Sequence, residues 1–382
     1  MTIDKEKIYA CWLDSLFWVH RKTKHLLLQT IGSAEEIYNV IDSSAKNSII
    51  ALIGIKEYEK LKEYKQKQLA QHQTPQLIWE KQENLGIKYT YYNASDFPHK
   101  LKSIPDPPFG IFYKGELPDK KRPAVAMIGA RKCSEYGRCM AESIAAGLAL
   151  KGIAVISGMA MGIDGISQRA ALSAGGKSYG VLGCGVDVIY PASNARLYEK
   201  LVEKGGVLSE YPPAMEPRSA LFPPRNRIIS ALSDIVLVVE AREKSGTFIT
   251  VDMALEQGRE VYAVPGRCTD GLSVGCNRLL RQGAGAVMSA EDIINDMGWN
   301  MALKEQEHQP QIALSQTAQE IYKVLEPLPI SQDVIISLLR ENGCCENTSK
   351  ICQGFLELEL KKVAVRTNGG YQLVPAQSKL LF

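Results

Sequence analysis

Two arginines and an asparagine fall within three positions of FPPRNRIIS (222–230), just ahead of an apolar run with helical spacing. Arg225 and Arg227 are of the type that grips phosphate or carboxylate through a planar, two-pronged set of donors. Glycines, small hydroxyls and charges recur in GARKCS (129–134), SGMAMGIDG (157–165), GCGVD (183–187), SEYPP (209–213), AREKSGT (241–247) and PGR (265–267). Glycine lets backbone N–H groups come close to a ligand, and a helix N-terminus favours an anion. Gly129, Gly158, Gly162 and Gly246 therefore read as phosphate-cradling positions, with Arg131, Lys244, Arg225 and Arg227 as counter-charges. Taken singly, each glycine reads better as a tight strand-to-helix turn, and Ser134 and Asp164 read equally as N-caps. Six such loops with four cations tilt the balance to a phosphate-bearing ligand. Asp187, Glu210 and Glu240 lie near the same loops, so the site is not uniformly basic.

Other chemistries find little support. His99 is followed by no histidine until His308, so zinc sites and Ser–His or Cys–His catalysis are not expected in the central region. GCGVDV (183–188) starts like a dinucleotide fingerprint, but Val188 replaces its third glycine. GGKS (175–178) resembles the end of a nucleotide-binding loop. However, Ala171 stands where that motif begins, and a strand follows instead of a helix.

The elements that must hold these loops follow from periodicity. Apolar runs suited to buried parallel strands occur at 124–128, 153–157, 179–182, 206–209, 235–240 and 261–265. Helical stretches lie between them, with Gly152, Gly175, Gly205 and Gly258 where C′ caps belong. This alternation predicts βαβ units and an α/β fold, a doubly wound parallel sheet of extended Rossmann-like type. In such a sheet, ligands bind at the carboxyl ends of the strands. Residues 1–82 read as a helical domain that buries Trp12, Leu13, Leu16, Phe17, Leu26, Leu27 and Leu28, with Gly32 and Ser33 as turn and N-cap. The lysines of 56–68 read as a solvated face. Residues 83–300 form the sheet domain, 301–311 a polar linker, and 312–382 a small domain. Its three helices and a hairpin turning at Asn368-Gly369 suggest a winged helix.

Composition agrees with a globular protein: 382 residues, 45% apolar, 23% charged, and a net charge of +3 from 45 cations and 42 anions. So small an excess does not argue for nucleic acid by itself; any basic patch must be local. Nine cysteines without a CxxC pair, no signal peptide and no transmembrane-length run lead us to expect a cytoplasmic protein with reduced thiols.

The central region closely resembles the DNA-processing protein A family. GARKCSEYG (129–137), SGMAMGID (157–164), GCGVDVIYP (183–191), SEYPP (209–213), FPPRNRIISALS (222–233), VVEAREKSGTFIT (238–250), ALEQGREVYAVPG (254–266) and GCNRLLRQGA (275–284) carry the resemblance. It implies a fold that binds single-stranded DNA with no catalysis, cofactor or membrane. It further implies protection of incoming strands in natural transformation, loading of the RecA recombinase, and work as a homodimer. The family's binding elements map onto Gly129, Arg131, Phe222, Arg225, Asn226, Arg227 and Lys244; Ala130, Ser157, Gly158, Met159, Gly162, Ser245 and Gly246 complete the candidate set. Two stretches depart from the family pattern: Ala130 within its usual Gly-Ser-Arg, and Ser167-Gln168 in place of Ala-His. The helical N-terminal module resembles the sterile-alpha-motif kind. Single-strand binders pair a cationic track with a base-stacking platform, and Phe222 beside the two arginines supplies both. The dimer is expected through 279–297, where Leu279, Leu280, Val287, Met288, Ile293 and Ile294 exceed one helix face. A near-neutral third helix makes 312–382 dispensable for strand binding. The alternative is a phosphoribohydrolase-like enzyme of related fold, but that reading needs paired glutamates after a glycine loop. Here Phe248, Ile249 and Thr250 follow SGT (245–247).

Overall fold

The computed structural model describes residues 5–43, 46–299, 314–325, 329–342, 347–361, 363–367 and 369–373. The chain falls into two compact units, Met1–Ile293 and Ile294–Phe382. The expected linker (301–311) and Asn368 of the expected turn lie outside the described residues.

The first unit opens with helices α1 (Lys5–Ser15), α2 (Arg21–Ile31), α3 (Ala34–Val40), α4 (Asn47–Ile53), α5 (Ile55–Ala70) and α6 (Pro75–Asn84). Ser33 caps α3 by accepting from the Glu36 N–H, after a turn in which Gly32 takes φ 111°. Trp12, Leu13, Leu16 and Leu27 are buried as expected. Phe17 and Leu26, also expected inside, are 60% and 43% exposed. The lysine-rich α5 is not wholly a solvated face: Lys65 is buried, paired with Asp42 and bonded to the Tyr38 carbonyl.

The rest of the unit is β1 (Lys88–Tyr91), α7 (His99–Lys102), β2 (Gly110–Gly115), β3 (Ala124–Gly129), α8 (Glu135–Leu150), β4 (Ala154–Ser157), α9 (Ile163–Ser173), β5 (Ser178–Val181), α10 (Ala195–Lys204), β6 (Gly206–Ser209), α11 (Phe222–Leu232), β7 (Ile235–Glu240), α12 (Thr247–Glu256), β8 (Glu260–Ala263), α13 (Val274–Arg281), β9 (Gly285–Ala286) and the first turn of α14 (Ala290–Asp296). One sheet runs β1-β2-β6-β5-β4-β3-β7-β8-β9. From β6 to β9 all neighbours are parallel, so the α/β class and the six expected strands are present. β1 and β2 add an antiparallel edge beside β6. Ala124, Ala126 and Ile128 of β3 share a core with Ile228, Leu232 and Val251 of α11 and α12. Val125 and Met127 point to the other face, where α8 and α9 pack. The helical region shares a core with the sheet edge: Trp12, Leu16 and Trp79 cluster with Tyr89, Tyr91 and Phe112.

The second unit holds α15 (Gln316–Val324), α16 (Gln332–Glu341), α17 (Thr348–Leu360), β10 (Ala364–Thr367) and β11 (Gly370–Leu373). Ser315, Ser331 and Asn347 each cap a helix through a side-chain oxygen. Ile321, Ile335, Phe355, Leu358 and Tyr371 form its core. This is the order of elements read from the sequence.

Gly152, Gly175 and Gly258 end helices at φ 71°, 82° and 67°, which only glycine adopts readily. Gly205 is different. Its φ is −160°, and a Cβ there would meet the Ser178 carbonyl oxygen at 2.0 Å. It is glycine because β5 and the end of α10 touch, not for handedness. Gly205→Ala should cost about 1–3 kcal/mol through overpacking. Calorimetry should show a melting temperature several degrees lower; an unchanged Tm would refute this assignment.

Leu279, Val287, Ile293 and Ile294 are buried within their own chain, and Met288 alone of the six is strongly exposed. The apolar surplus expected to drive pairing of two copies is therefore mostly absorbed into the fold. Among the described residues, no helix is long and apolar enough to cross a membrane.

Candidate nucleic-acid interface

The strand order reverses at β3, which lies between β4 and β7, so a crevice is expected between the loops after β3 and β7. The chain fills part of it. Glu240 ends β7, only 1% exposed, and accepts from the Ser134 backbone N–H at 2.8 Å and from the Ser134 hydroxyl. Ser134 in turn caps α8 by accepting from the Gly137 N–H. The positive end of α8, where a dinucleotide pyrophosphate would sit, already holds the protein's own carboxylate.

An open cleft lies one step along the edge, at the ends of β3, β4 and β5. Arg131, Arg225, Tyr190, Phe222 and Met161 are among its walls. Phe222 and Tyr190 stack, with ring centres 5.5 Å apart and planes 25° apart. Phe222 lies flat on Gly183, where a Cβ would meet its ring at 2.6 Å. The Arg225 guanidinium carbon sits 6.0 Å from the Phe222 ring centre. Arg131 is exposed and has no ion pair among the described residues.

The RNR residues lie within the first two turns of α11. Pro223 and Pro224 occupy the first turn of α11, where a missing N–H costs nothing and the fixed φ suits a helix. Residues two apart on a helix point to opposite sides, and the two arginines separate accordingly. Arg225 turns toward the cleft. Its Nη1 donates to the carbonyls of Gly158 and Val181 and its Nε to Asn226, while Nη2 has no partner among the described residues. Arg227 turns away. It is 4% exposed and donates to both Glu210 oxygens at 2.7 and 2.6 Å, and to the Asp106 and Pro224 carbonyls. Asp106 also holds Arg21 of α2, so Arg227 is a node joining the helical region, α11 and the end of β6. Its place as a phosphate-gripping residue is corrected, because its donors are already taken.

Several other candidates are also structural. The Ser157 hydroxyl donates to the Met127 carbonyl and is fully buried. The Met159 side chain is buried, and its carbonyl accepts from Asn194. The backbone of Ala130 bonds Glu240 and Ile163. Gly129 lies against the Glu240 carbonyl, and Gly162, at φ 74°, against the Ala130 carbonyl. Gly158 makes room for Arg225, since a Cβ there would meet Nη2 at 2.6 Å. These are turn and packing glycines rather than phosphate cradles. Asp164 is not an N-cap; Gly162 holds that place. Asp164 accepts from the Gly158 N–H at 3.1 Å, and burial pushes its carboxyl up while Arg225 pulls it down.

In the loop after β7, Lys244 is exposed and without an ion pair among the described residues. Gly246 precedes α12 with open space where a Cβ would stand, and Ser245 accepts from the Thr247 N–H. Asn226 is half-buried beside Arg225. Gln168, where the family resemblance leads one to expect histidine, is fully buried and donates to the Tyr179 carbonyl. A side chain at that position supports α9 against β5 and does not reach the surface. Sequence reasoning missed Tyr190, Met161 and Pro191, which also line the cleft. The only signal for Tyr190 was an exposed-type aromatic in the loop following a sheet strand.

Residues 88–298 match the family model described as DNA recombination-mediator protein A. The DNA processing protein DprA of Streptococcus pneumoniae is 44% identical over 198 residues, covering 52% of this chain and 70% of that protein. The Bacillus subtilis DNA processing protein DprA is 41% identical over 213 residues, covering 56% and 72%. The X-ray structure of the S. pneumoniae protein superposes with a TM-score of 0.61 at 33% identity, covering 78% of this chain and 99% of that one. A Helicobacter pylori DNA processing protein A, described for its single-stranded DNA binding mode, superposes with a TM-score of 0.50 at 29% identity, covering 56% and 96%.

Proposed function

Because the chain belongs to the DNA recombination-mediator protein A family, we propose that its cleft holds single-stranded DNA and performs no chemistry on it. The observation that carries this reading is the stacked Tyr190–Phe222 pair sharing one cleft with Arg131 and the open Nη2 of Arg225. Ring faces take unstacked bases, and cations take the phosphates between them. A duplex offers no free base face, so it would use only the cations. Lys244 and the open N-terminus of α12 extend the cationic edge from the neighbouring loop.

The enzyme alternative needs a carboxylate or thiol facing the ligand. Glu240 is bonded to Ser134, Glu210 to Arg227, and Asp187 to the Ala214 N–H. Burial pushes the Cys184 thiol up to about 11, so it stays protonated. We extend the proposal, on the sequence resemblance alone, to a role in transformation, delivery of strands to RecA and action as a homodimer. On this reading the second unit, for which a winged helix remains the proposal, is not needed to hold the strand.

Titration with oligo(dT) tests the reading. Affinity should exceed that for the matching duplex and fall with salt at a log–log slope of about −0.7 per neutralised phosphate. A salt-independent affinity, or a preference for duplex, would overturn it.

A further inference from the structure

A second cavity, of about 470 Å³, lies at the amino-terminal edge of the parallel sheet, opposite the proposed DNA cleft. Its floor is apolar: Ala124, Ala154 and Tyr179 near the starts of β3, β4 and β5, and Leu232 at the end of α11. Its rim is cationic, with Lys120, Lys121 and Arg122 from the β2–β3 loop, Lys177 ahead of β5 and Lys100 of α7. Lys100 is held by Asp234, Arg122 reaches Asp119 and Lys177 is bonded to Glu116. Lys120 and Lys121 are exposed and have no ion pair among the described residues.

Tyr179 adds an independent observation. It is only 2% exposed, yet its hydroxyl has no hydrogen-bond partner among the described residues and it lines the cavity. Burial pushes that phenol up to about 12, so it keeps its proton and remains a donor. The ring is packed in the core while the hydroxyl opens on the cavity, where it is free to donate to a ligand acceptor. Basic residues at this edge could merely complement the carbonyl ends of α8 and α9. Lys120, Lys121 and Arg122, however, lie between two strands and cap no helix.

We propose that this cavity binds a nucleoside phosphate, with its base on the apolar floor, its phosphates on Lys120 and Lys121, and the Tyr179 hydroxyl donating to it. The volume lies within the range of small-molecule sites. Two unpaired lysines call for more than one negative charge, and the floor calls for an apolar ring, so neither a bare phosphate nor a fatty acid matches both. A free nucleotide and the 5′-phosphorylated end of a strand share this chemistry. The site is independent of the single-strand cleft.

The test is calorimetric titration of the full chain with ADP, tripolyphosphate, and oligo(dT) with and without a 5′-phosphate. Lys120→Glu/Lys121→Glu should weaken ADP binding about tenfold or more, as expected for lost charge-assisted hydrogen bonds. Tyr179→Phe should weaken it several-fold, and affinity for unphosphorylated oligo(dT) should be unchanged in both. If the 5′-phosphate strengthens oligo(dT) binding and the lysine variant abolishes that gain, the strand end is the source; a response to ADP alone assigns a free nucleotide. The exposed lysines can be changed without touching the core, so that arm stands even if Tyr179→Phe impairs folding. Absence of both ADP binding and a 5′-phosphate effect at millimolar concentration, ADP binding that survives the lysine variant, or tripolyphosphate binding as tightly as ADP would overturn the proposal.

Discussion

Replacing Arg227 with alanine is expected to destabilise the protein by about 3–5 kcal/mol, because it strands a buried carboxylate without its partner. The side chains of Arg227 and Glu210 are 5% and 9% exposed, and the pair is bidentate. With Arg227 gone, Glu210 loses both charge-assisted bonds, and Asp106 loses one of the two arginines it holds. Against a total stability of about 5–15 kcal/mol, that is a severe loss. Denaturant unfolding should show the midpoint fall sharply, and Arg227→Lys should recover little, since an ammonium cannot span both oxygens. Replacing both partners, Arg227→Met with Glu210→Leu, should recover most of the loss, because a buried pair adds little over packed apolar groups. If Arg227→Ala instead kept wild-type stability and lost only DNA affinity, Arg227 would return to the binding site.

This outcome differs from what the bare sequence suggests, and the reason is helical geometry. FPPRNR looks like a loop because prolines punctuate loops, yet proline is also favoured in a first helical turn. Once α11 begins at Phe222, the two arginines must diverge, and one of them belongs to the fold. The parallel strands were legible because they are buried on both faces and read as unbroken apolar runs, such as IVLVVE. β1 (KYTY) and β2 (GIFYKG) carry polar and glycine residues and sit beside the helical region, so no such run marks them. The carboxylates were legible in position but not in role. Glu240 binds Ser134 across 106 residues and Glu210 binds Arg227 across 17, and such pairings exist only after folding. The aromatic platform was half legible: Phe222 drew attention through its arginine neighbours, whereas Tyr190 lies on a loop 32 residues earlier and meets it only in the folded cleft.

Removing the aromatic pair and removing Arg131 should weaken single-strand binding in ways that one experiment separates. Base stacking on an aromatic ring is worth about 1–3 kcal/mol per base, so losing one stacked base costs about 5- to 150-fold. Tyr190→Ala with Phe222→Ala should therefore cost at least tenfold in affinity for oligo(dT). No phosphate contact is lost, so the dependence of affinity on salt should keep its slope. Arg131→Ala removes one backbone cation from an exposed position and should leave stability unaltered. Its affinity loss should be smaller, but the slope should become shallower by about 0.7, the share of one neutralised phosphate. Tyr190 is 45% exposed, and Phe222 packs on a glycine at the surface end of α11, so the double variant should stay folded. The measurement is anisotropy of a labelled oligo(dT) over a range of salt, with thermal melts as the control for folding. Should the ring variant bind normally, or change the slope as Arg131→Ala does, the bases are not held by these rings, and the cleft would be a phosphate track alone.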